Sequence, residues 1–230
     1  MDFIKIIDDA IAIIPDEEPR RYIGASGIGH DCSRKIWNDY NCIAGKPITP
    51  KLRRTFDTGK RLEDMMLDYI ELAGFKVIRP EPRSKGIPCN DEEFPLFQGH
   101  CDGLLYLTET NVVVLELKTA NNSEYKKFVD VGVKAWKPVY YAQVMSYMGM
   151  RRLKNSVIIV LNKDNSDWHC EWVEYDDIVY SELRVKAWTI ASAAEAPEKI
   201  NNNPSWYMCQ MCKYKEVCHK PGEINVAISA

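Results

Sequence analysis

The feature that most constrains this chain is a pair of apolar segments carrying three charges where strand residues should be uncharged. Gly99-His-Cys-Asp-Gly-Leu-Leu-Tyr-Leu107 is followed by a Thr108-Glu-Thr-Asn111 turn and then by Val112-Val-Val-Leu-Glu-Leu-Lys-Thr119. Such runs, rich in Val and Leu and separated by a polar turn, predict a β-hairpin. Alternation with period two puts Val112, Val114, Glu116 and Lys118 on one face of the second strand and Val113, Leu115 and Leu117 on the other. The hairpin brings the first strand alongside, so Asp102 can sit beside Glu116. Two carboxylates and one ammonium thus converge on a surface that is otherwise apolar, a costly arrangement unless the charges meet partners.

Paired carboxylate oxygens suit a hard divalent cation such as Mg²⁺ or Mn²⁺, which keeps positions open for water and a substrate phosphate. A lysine two residues on would orient or help deprotonate the attacking water and offset charge developing on the phosphate. The plain alternative is a carboxylate–lysine pair on a half-exposed strand.

Upstream, Phe56 to Gly74 predicts a helix stopped by its final glycine. At about 100° per residue, Lys60, Arg61, Asp64, Asp68 and Glu71 share a polar arc. Glu63 falls instead among Phe56, Gly59, Met66, Leu67 and Ile70, where a carboxylate needs a cation, either a metal or an arginine. Downstream, Pro138 to Gly149 predicts a second helix on which Gln143 and Tyr147, four apart, share a face with Tyr140 one turn earlier. Ordinary core packing would account for Tyr147, less readily for the Gln143 amide.

Eight cysteines argue for metal binding or reactivity rather than disulfides in a chain with no secretory signal pattern. Cys209, Cys212 and Cys218 have the spacing Cys-x2-Cys-x5-Cys, and three thiolates so close usually hold a metal. The candidate fourth ligand is Cys32, far away in Ser26-Gly-Ile-Gly-His-Asp-Cys-Ser-Arg-Lys-Ile-Trp37. His30 and His219 could each substitute, although His219 directly follows Cys218 and is better placed as a neighbour. Four thiolates at tetrahedral spacing suit zinc. Cys42, Cys89, Cys101 and Cys170 read as small buried hydrophobes.

The order Cys32, Glu63, Asp102, Glu116-Leu117-Lys118, Gln143-x3-Tyr147, then the cysteine triplet resembles the PD-(D/E)xK nuclease superfamily over roughly residues 22 to 219. Within it the chain is similar to RecB-like exonucleases with an iron-sulfur staple, as in CRISPR-associated exonucleases and AddB-type helicase-nucleases. The resemblance implies a mixed sheet flanked by helices, with Asp102, Glu116, Glu63 and the Leu117 carbonyl as ligands of Mg²⁺ or Mn²⁺. It implies Lys118 acting on the water and Gln143 and Tyr147 contacting the DNA backbone. It further implies a [4Fe-4S] cluster on Cys32, Cys209, Cys212 and Cys218, with Zn²⁺ as the alternative. The activity it implies is DNA exonuclease action, on single-stranded ends with 5′-to-3′ polarity, in recombination, repair or CRISPR adaptation, in a phage setting among others. Recombination or CRISPR adaptation proteins would be its partners. The rival readings are a non-catalytic DNA-binding or assembly subunit and a structure-selective endonuclease.

Length and composition agree with this. At 230 residues the chain predicts a single α/β nuclease domain, with a core at about 50–195 and a cysteine lobe from about 22–45 and 200–220. Predicted elements are a helical N-terminal region to about Tyr40, strands at Phe75–Ile78, Val157–Leu161 and Trp168–Tyr175, a helix at Ile178–Ala194, and a loop from Thr119 to Lys137. Tyr125 and Trp136 in that loop could stack on unpaired bases. Met1 to Ile14 reads as a short amphipathic helix, and no apolar run approaches the roughly 18 residues of a membrane span, so the expected location is the cytoplasm. The net charge of −3, from 30 Lys and Arg against 33 Asp and Glu, is unusual for a DNA-binding domain and makes the distribution of charge more important than its sum.

Overall fold

The computed structural model describes residues 1–16, 18–81 and 84–219. Helix α1 (Phe3–Ala12) starts where the Asp2 carboxylate accepts from the Lys5 N–H, and β1 (Ile23–Gly24), α2 (Ala25–Ile28) and α3 (Ser33–Tyr40) follow. Helix α4 (Pro50–Leu72) begins six residues before Phe56, because the Thr49 hydroxyl caps the Leu52 N–H and Pro50 occupies a first-turn position that needs no N–H. It stops ahead of Gly74, whose φ of +92° few residues other than glycine adopt.

The chain then runs through β2 (Lys76–Ile78), β3 (Ile87–Asn90), β4 (Phe97–Cys101), β5 (Gly103–Tyr106) and β6 (Val112–Ala120). Helices α5 (Asn122–Trp136) and α6 (Pro138–Arg151), strands β7 (Asn155–Asn162) and β8 (Trp168–Glu174), and helix α7 (Asp177–Ser192) complete the central part. Two short helices, α8 (Tyr207–Gln210) and α9 (Lys215–His219), carry the cysteine triplet with the turn between them.

A five-stranded sheet has the order β2-β5-β6-β7-β8, with β6 and β7 parallel and the other pairs antiparallel. A three-stranded sheet has the order β1-β4-β3. The predicted first strand of the hairpin is therefore two strands in two sheets, and Asp102 is the residue at which the chain passes from one to the other. The alternation of β6 divides the interior as expected. Val113, Leu115 and Leu117 pack with Met66, Leu67 and Ile70 of α4, whereas Val114 faces the larger cluster under α6 that includes Met145, Tyr147 and Met148. Phe56 does not join the α4 contact and is exposed.

The segment expected as a loop after Thr119 is mostly helix α5. Its first turn is capped by the Asn121 side chain, which accepts from the Glu124 N–H. A break at Gly132, φ +72°, hides the helical period in the sequence. Cys89 and Cys101 are buried as expected, but Cys42 is half-buried and Cys170 is exposed, since β8 is an edge strand whose outer residues meet solvent. Among the described residues no helix is long and apolar enough to cross a membrane.

Candidate active site

The register of β5 on β6 pairs Gly103 with Leu115, so one step further along the antiparallel ladder sets Asp102 opposite Glu116. Asp102 Oδ2 accepts the Leu117 N–H at 2.8 Å. Between β5 and β7 the Glu116 side chain is fully buried; its Oε1 accepts from the Lys118 ammonium, while its Oε2 is buried with no hydrogen-bond partner. Glu63, one turn before Met66 on α4, completes the group from the side of the sheet that the helix covers, half-buried and within electrostatic reach of Asp102 and Lys118.

The electrostatics follow from crowding carboxylates in a dry place. Burial, with Asp102 adding to it, pushes Glu116 up to about 8. Burial and then Asp102 push Glu63 up to about 7. Burial alone would lower the Lys118 ammonium, but Glu116 and Asp102 more than reverse this and hold it above its ordinary value. The sequence-predicted residues Glu63, Asp102, Glu116 and Lys118 are thus gathered where the β5–β6 ladder ends, midway along β6, and a cation is what that surplus of carboxylate favours.

Gln143 and Tyr147 lie on the inward face of α6, and the Gln143 amide donates to the Tyr147 hydroxyl at 2.9 Å. Both are buried, Tyr147 at 1% exposure. The tyrosine ring reaches this position because β4 offers Gly99, where a β-carbon would stand 2.5 Å from Tyr147 Cε1. Burial first, then the nearby Glu116, holds the Tyr147 hydroxyl well above its usual value. Sequence reasoning put Tyr140 on the same face without a task. Its ring lies under the Lys118 ammonium, 5.1 Å from Nζ to the centroid, and Trp136 meets Tyr140 edge-on at 5.6 Å.

The four cysteines singled out by spacing line one cavity of about 450 Å³, together with His30 and His219. Cys32 sits at the N-terminus of α3, and the other three come from the α8–α9 segment. Burial, then Cys32 and Cys212, push the Cys209 thiol up; burial pushes Cys218 up against the pull of Arg34. The α3 region and the α8–α9 segment meet here through protein contacts as well: the Lys46 N–H donates to the Lys213 carbonyl at 2.8 Å, and the Tyr214 hydroxyl donates to Asp39 at 2.7 Å. As they stand, no three His, Cys, Asp or Glu side chains among the described residues are arranged to hold a metal ion. The donor chemistry nonetheless fits one at each place, hard oxygens with an unpartnered buried Oε2 at β6 and soft thiols at the cavity.

No known family's sequence profile matches the chain, and no curated protein matches it. Solved structures do. The alkaline exonuclease LHK-Exo from Laribacter hongkongensis aligns with a TM-score of 0.57 at 17% identity, covering 75% of this chain and 87% of that one. The same enzyme in complex with dAMP gives 0.57 at 16%. A protein described as SSO0001 gives 0.53 at 12%, covering 93% of this chain and 92% of that chain. At these identities the likeness speaks for the fold alone: the chain has a mixed α/β fold shared with that alkaline exonuclease and with SSO0001.

Proposed function

We propose that this chain is a metal-dependent deoxyribonuclease that removes nucleotides from DNA ends, acting by preference on single strands from the 5′ side. One observation carries the reading. Glu63, Asp102, Glu116 and Lys118 gather where the β5–β6 ladder ends, with a buried Glu116 oxygen that has no hydrogen-bond partner, on a fold shared with an alkaline exonuclease.

An unsatisfied buried carboxylate oxygen is costly, and a hard divalent cation is the partner it suits. Asp102, Glu116, Glu63 and the Leu117 carbonyl would hold Mg²⁺ or Mn²⁺. When bound, the cation supplies Lewis-acid stabilisation of the phosphate and makes water a better nucleophile. The chain's own residues do the rest. Lys118, kept charged by Glu116 and Asp102, orients the water and offsets negative charge on the attacked phosphate. The Leu117 N–H fixes the Asp102 carboxylate. Gln143 and Tyr147, expected to contact the DNA backbone, are buried and bonded to each other, so on this reading they back the site from within rather than touch DNA.

On the same reading the cysteine-lined cavity takes a [4Fe-4S] cluster on Cys32, Cys209, Cys212 and Cys218, with zinc as the competing ion. This fits a RecB-like enzyme with an iron-sulfur staple, akin to AddB-type and CRISPR-associated nucleases and working in recombination, repair or CRISPR adaptation. The test is digestion of end-labelled linear and closed circular DNA, single- and double-stranded, with Mg²⁺ or Mn²⁺ and with chelator. Metal-dependent loss of label from linear single strands alone supports the proposal. Equal cutting of circles would make the enzyme an endonuclease, and binding without cutting would make it an assembly subunit.

A further inference from the structure

At the corner between α5 and α6 one carboxylate gathers an aromatic ring and two lysines, and the carboxylate–lysine site does not account for it. Glu124 is the hub. Its carboxylate accepts from the Trp136 indole N–H at 3.1 Å and pairs with Lys127 at 2.8 Å and Lys137 at 2.9 Å. Those three donors, Lys127 first, hold it down at about 2. The corner itself is stiff. The chain breaks at Gly132, the following Val133 N–H is taken by the Glu171 carboxylate at 2.6 Å, and Pro138 opens α6. Trp136 is packed on one side by Phe128 at 5.2 Å and stays half-buried.

This corner is next to the candidate active site. Trp136 stands 5.6 Å from Tyr140, whose ring is 5.1 Å from Lys118 Nζ. Between residues 124 and 141 four lysines stand against two carboxylates, a local charge of +2 in a chain whose net charge is −3. The Lys137 ammonium lies over the indole, 5.8 Å from its centroid. An unpaired base would take that face as the ammonium moves to the phosphate attached to it, one aromatic ring away from the lysine of the active site. In a duplex only the outer face of the terminal pair is open, and no single base can leave its partner to sit between the indole and the lysine without unpairing.

We infer that Trp136, with Lys137 and held by Glu124, is a seat for an unpaired base and its phosphate that delivers a DNA strand to the Lys118 site. The inference rests on the nuclease reading above and adds to it the residues that select single strands. Trp136 is the specificity residue, Lys137 the phosphate contact, and Glu124 positions both.

The experiment uses the full chain and a fluorescein-labelled oligothymidine of about 16 nucleotides. Binding is measured by anisotropy in chelator, and kcat and KM are then measured with Mg²⁺. Trp136→Ala should weaken binding by about 10-fold, the loss of one base stack, raising KM with little change in kcat. Trp136→Phe, which keeps a stacking face and guards against misfolding, should recover most of that loss. Lys137→Gln should lower the slope of log affinity against log salt by about 1, which Trp136→Ala should leave unchanged. If wild type binds and cuts the strand while folded Trp136→Ala and Lys137→Gln match it within about twofold, this inference fails and the nuclease reading stands. If wild type neither binds nor cuts DNA, both fall.

Discussion

The Leu117 N–H donates to the Asp102 carboxylate at 2.8 Å, and this bond ties the point where the chain changes sheets to the strand that carries Glu116 and Lys118. Strand β5 begins only at Gly103, so its ladder with β6 ends opposite Leu115. The Leu117 N–H lies past that end, and a side-chain oxygen takes the place of the missing strand carbonyl. Asp102 therefore has a structural task besides its place among the carboxylates.

The two tasks separate by substitution. Asp102→Asn retains a neutral oxygen that can accept from Leu117, so its thermal stability should stay close to wild type while cleavage falls by at least about 100-fold. Asp102→Ala should lose cleavage equally and, in addition, about 1–3 kcal/mol of stability, because a part-buried N–H is left without a partner. Thermal unfolding and an end-label assay on both variants check this. Cleavage by Asp102→Asn near the wild-type rate would remove the carboxylate from the chemistry.

The raised carboxylates make the metal-free protein sensitive to pH in a definite direction. Glu116 rises to about 8 and Glu63 to about 7, from the ordinary carboxylate value of 4.5. Between 4.5 and those values the folded protein holds protons that the unfolded chain has released. Stability from these groups is therefore fully present below pH 4.5 and is lost as pH rises through 7 to 8. In chelator, the melting temperature should drop more from pH 5 to pH 8 in wild type than in Glu116→Gln, and the variant should be the more stable of the two at pH 8. Mg²⁺ should restore wild type and not the variant. A Glu116→Gln protein that tracks wild type across this range would show that the burial does not cost what the geometry implies.

Tyr140 supports Lys118 through its ring. The ammonium lies 5.1 Å from the ring centroid, a distance at which the aromatic face holds a cation in place. Tyr140→Phe keeps the face and should keep kcat. Tyr140→Leu removes it and should lower kcat at saturating DNA by about 3- to 30-fold, the range of a cation–π contact. Equal kcat for the two variants would leave the ring without a role in positioning the lysine.

Much of this was legible in the sequence because it is written in local periodicity. Two-residue alternation put Glu116 and Lys118 on one face of β6, and helical spacing put Glu63 above Met66 and Gln143 beside Tyr147. What stayed hidden depends on how distant segments meet. The run from Gly99 to Leu107 is evenly strand-like, so nothing local marks Asp102 as the place where the chain leaves one sheet for another. Helix α5 was masked by Gly132, and the exposure of Cys170 depends on β8 being at an edge. Tyr140 gained its relation to Lys118 only when α6 packed over β6.

Gly99 is small because Tyr147 is large. An added β-carbon there would lie 2.5 Å from the Tyr147 ring and 2.8 Å from the Ala25 β-carbon. Gly99→Ala must move the ring or the strand, at a cost of about 1–3 kcal/mol, and would disturb the Gln143–Tyr147 hydrogen bond. A lower melting temperature with reduced cleavage is expected. Wild-type stability in Gly99→Ala would mean that the ring yields freely and is not fixed by β4.

The cysteine cavity joins segments that are remote in the chain, Cys32 being 177 positions before Cys209. A metal centre spanning that interval converts binding energy into folding energy. Protein purified without oxygen should be brown, with iron and sulfide. Replacing Cys32, Cys209, Cys212 or Cys218 by Ser should in each case remove the colour and lower the melting temperature. Cys42→Ser and Cys170→Ser serve as controls, since neither residue lines the cavity. The loss should stop short of unfolding the junction, because buried Tyr214 still donates to Asp39 and the Lys46–Lys213 backbone bond still joins the two segments. A colourless preparation with one zinc per chain would replace the cluster by zinc on the same thiols. One with neither metal, and stability unchanged in all four variants, would leave the cavity with no metal at all.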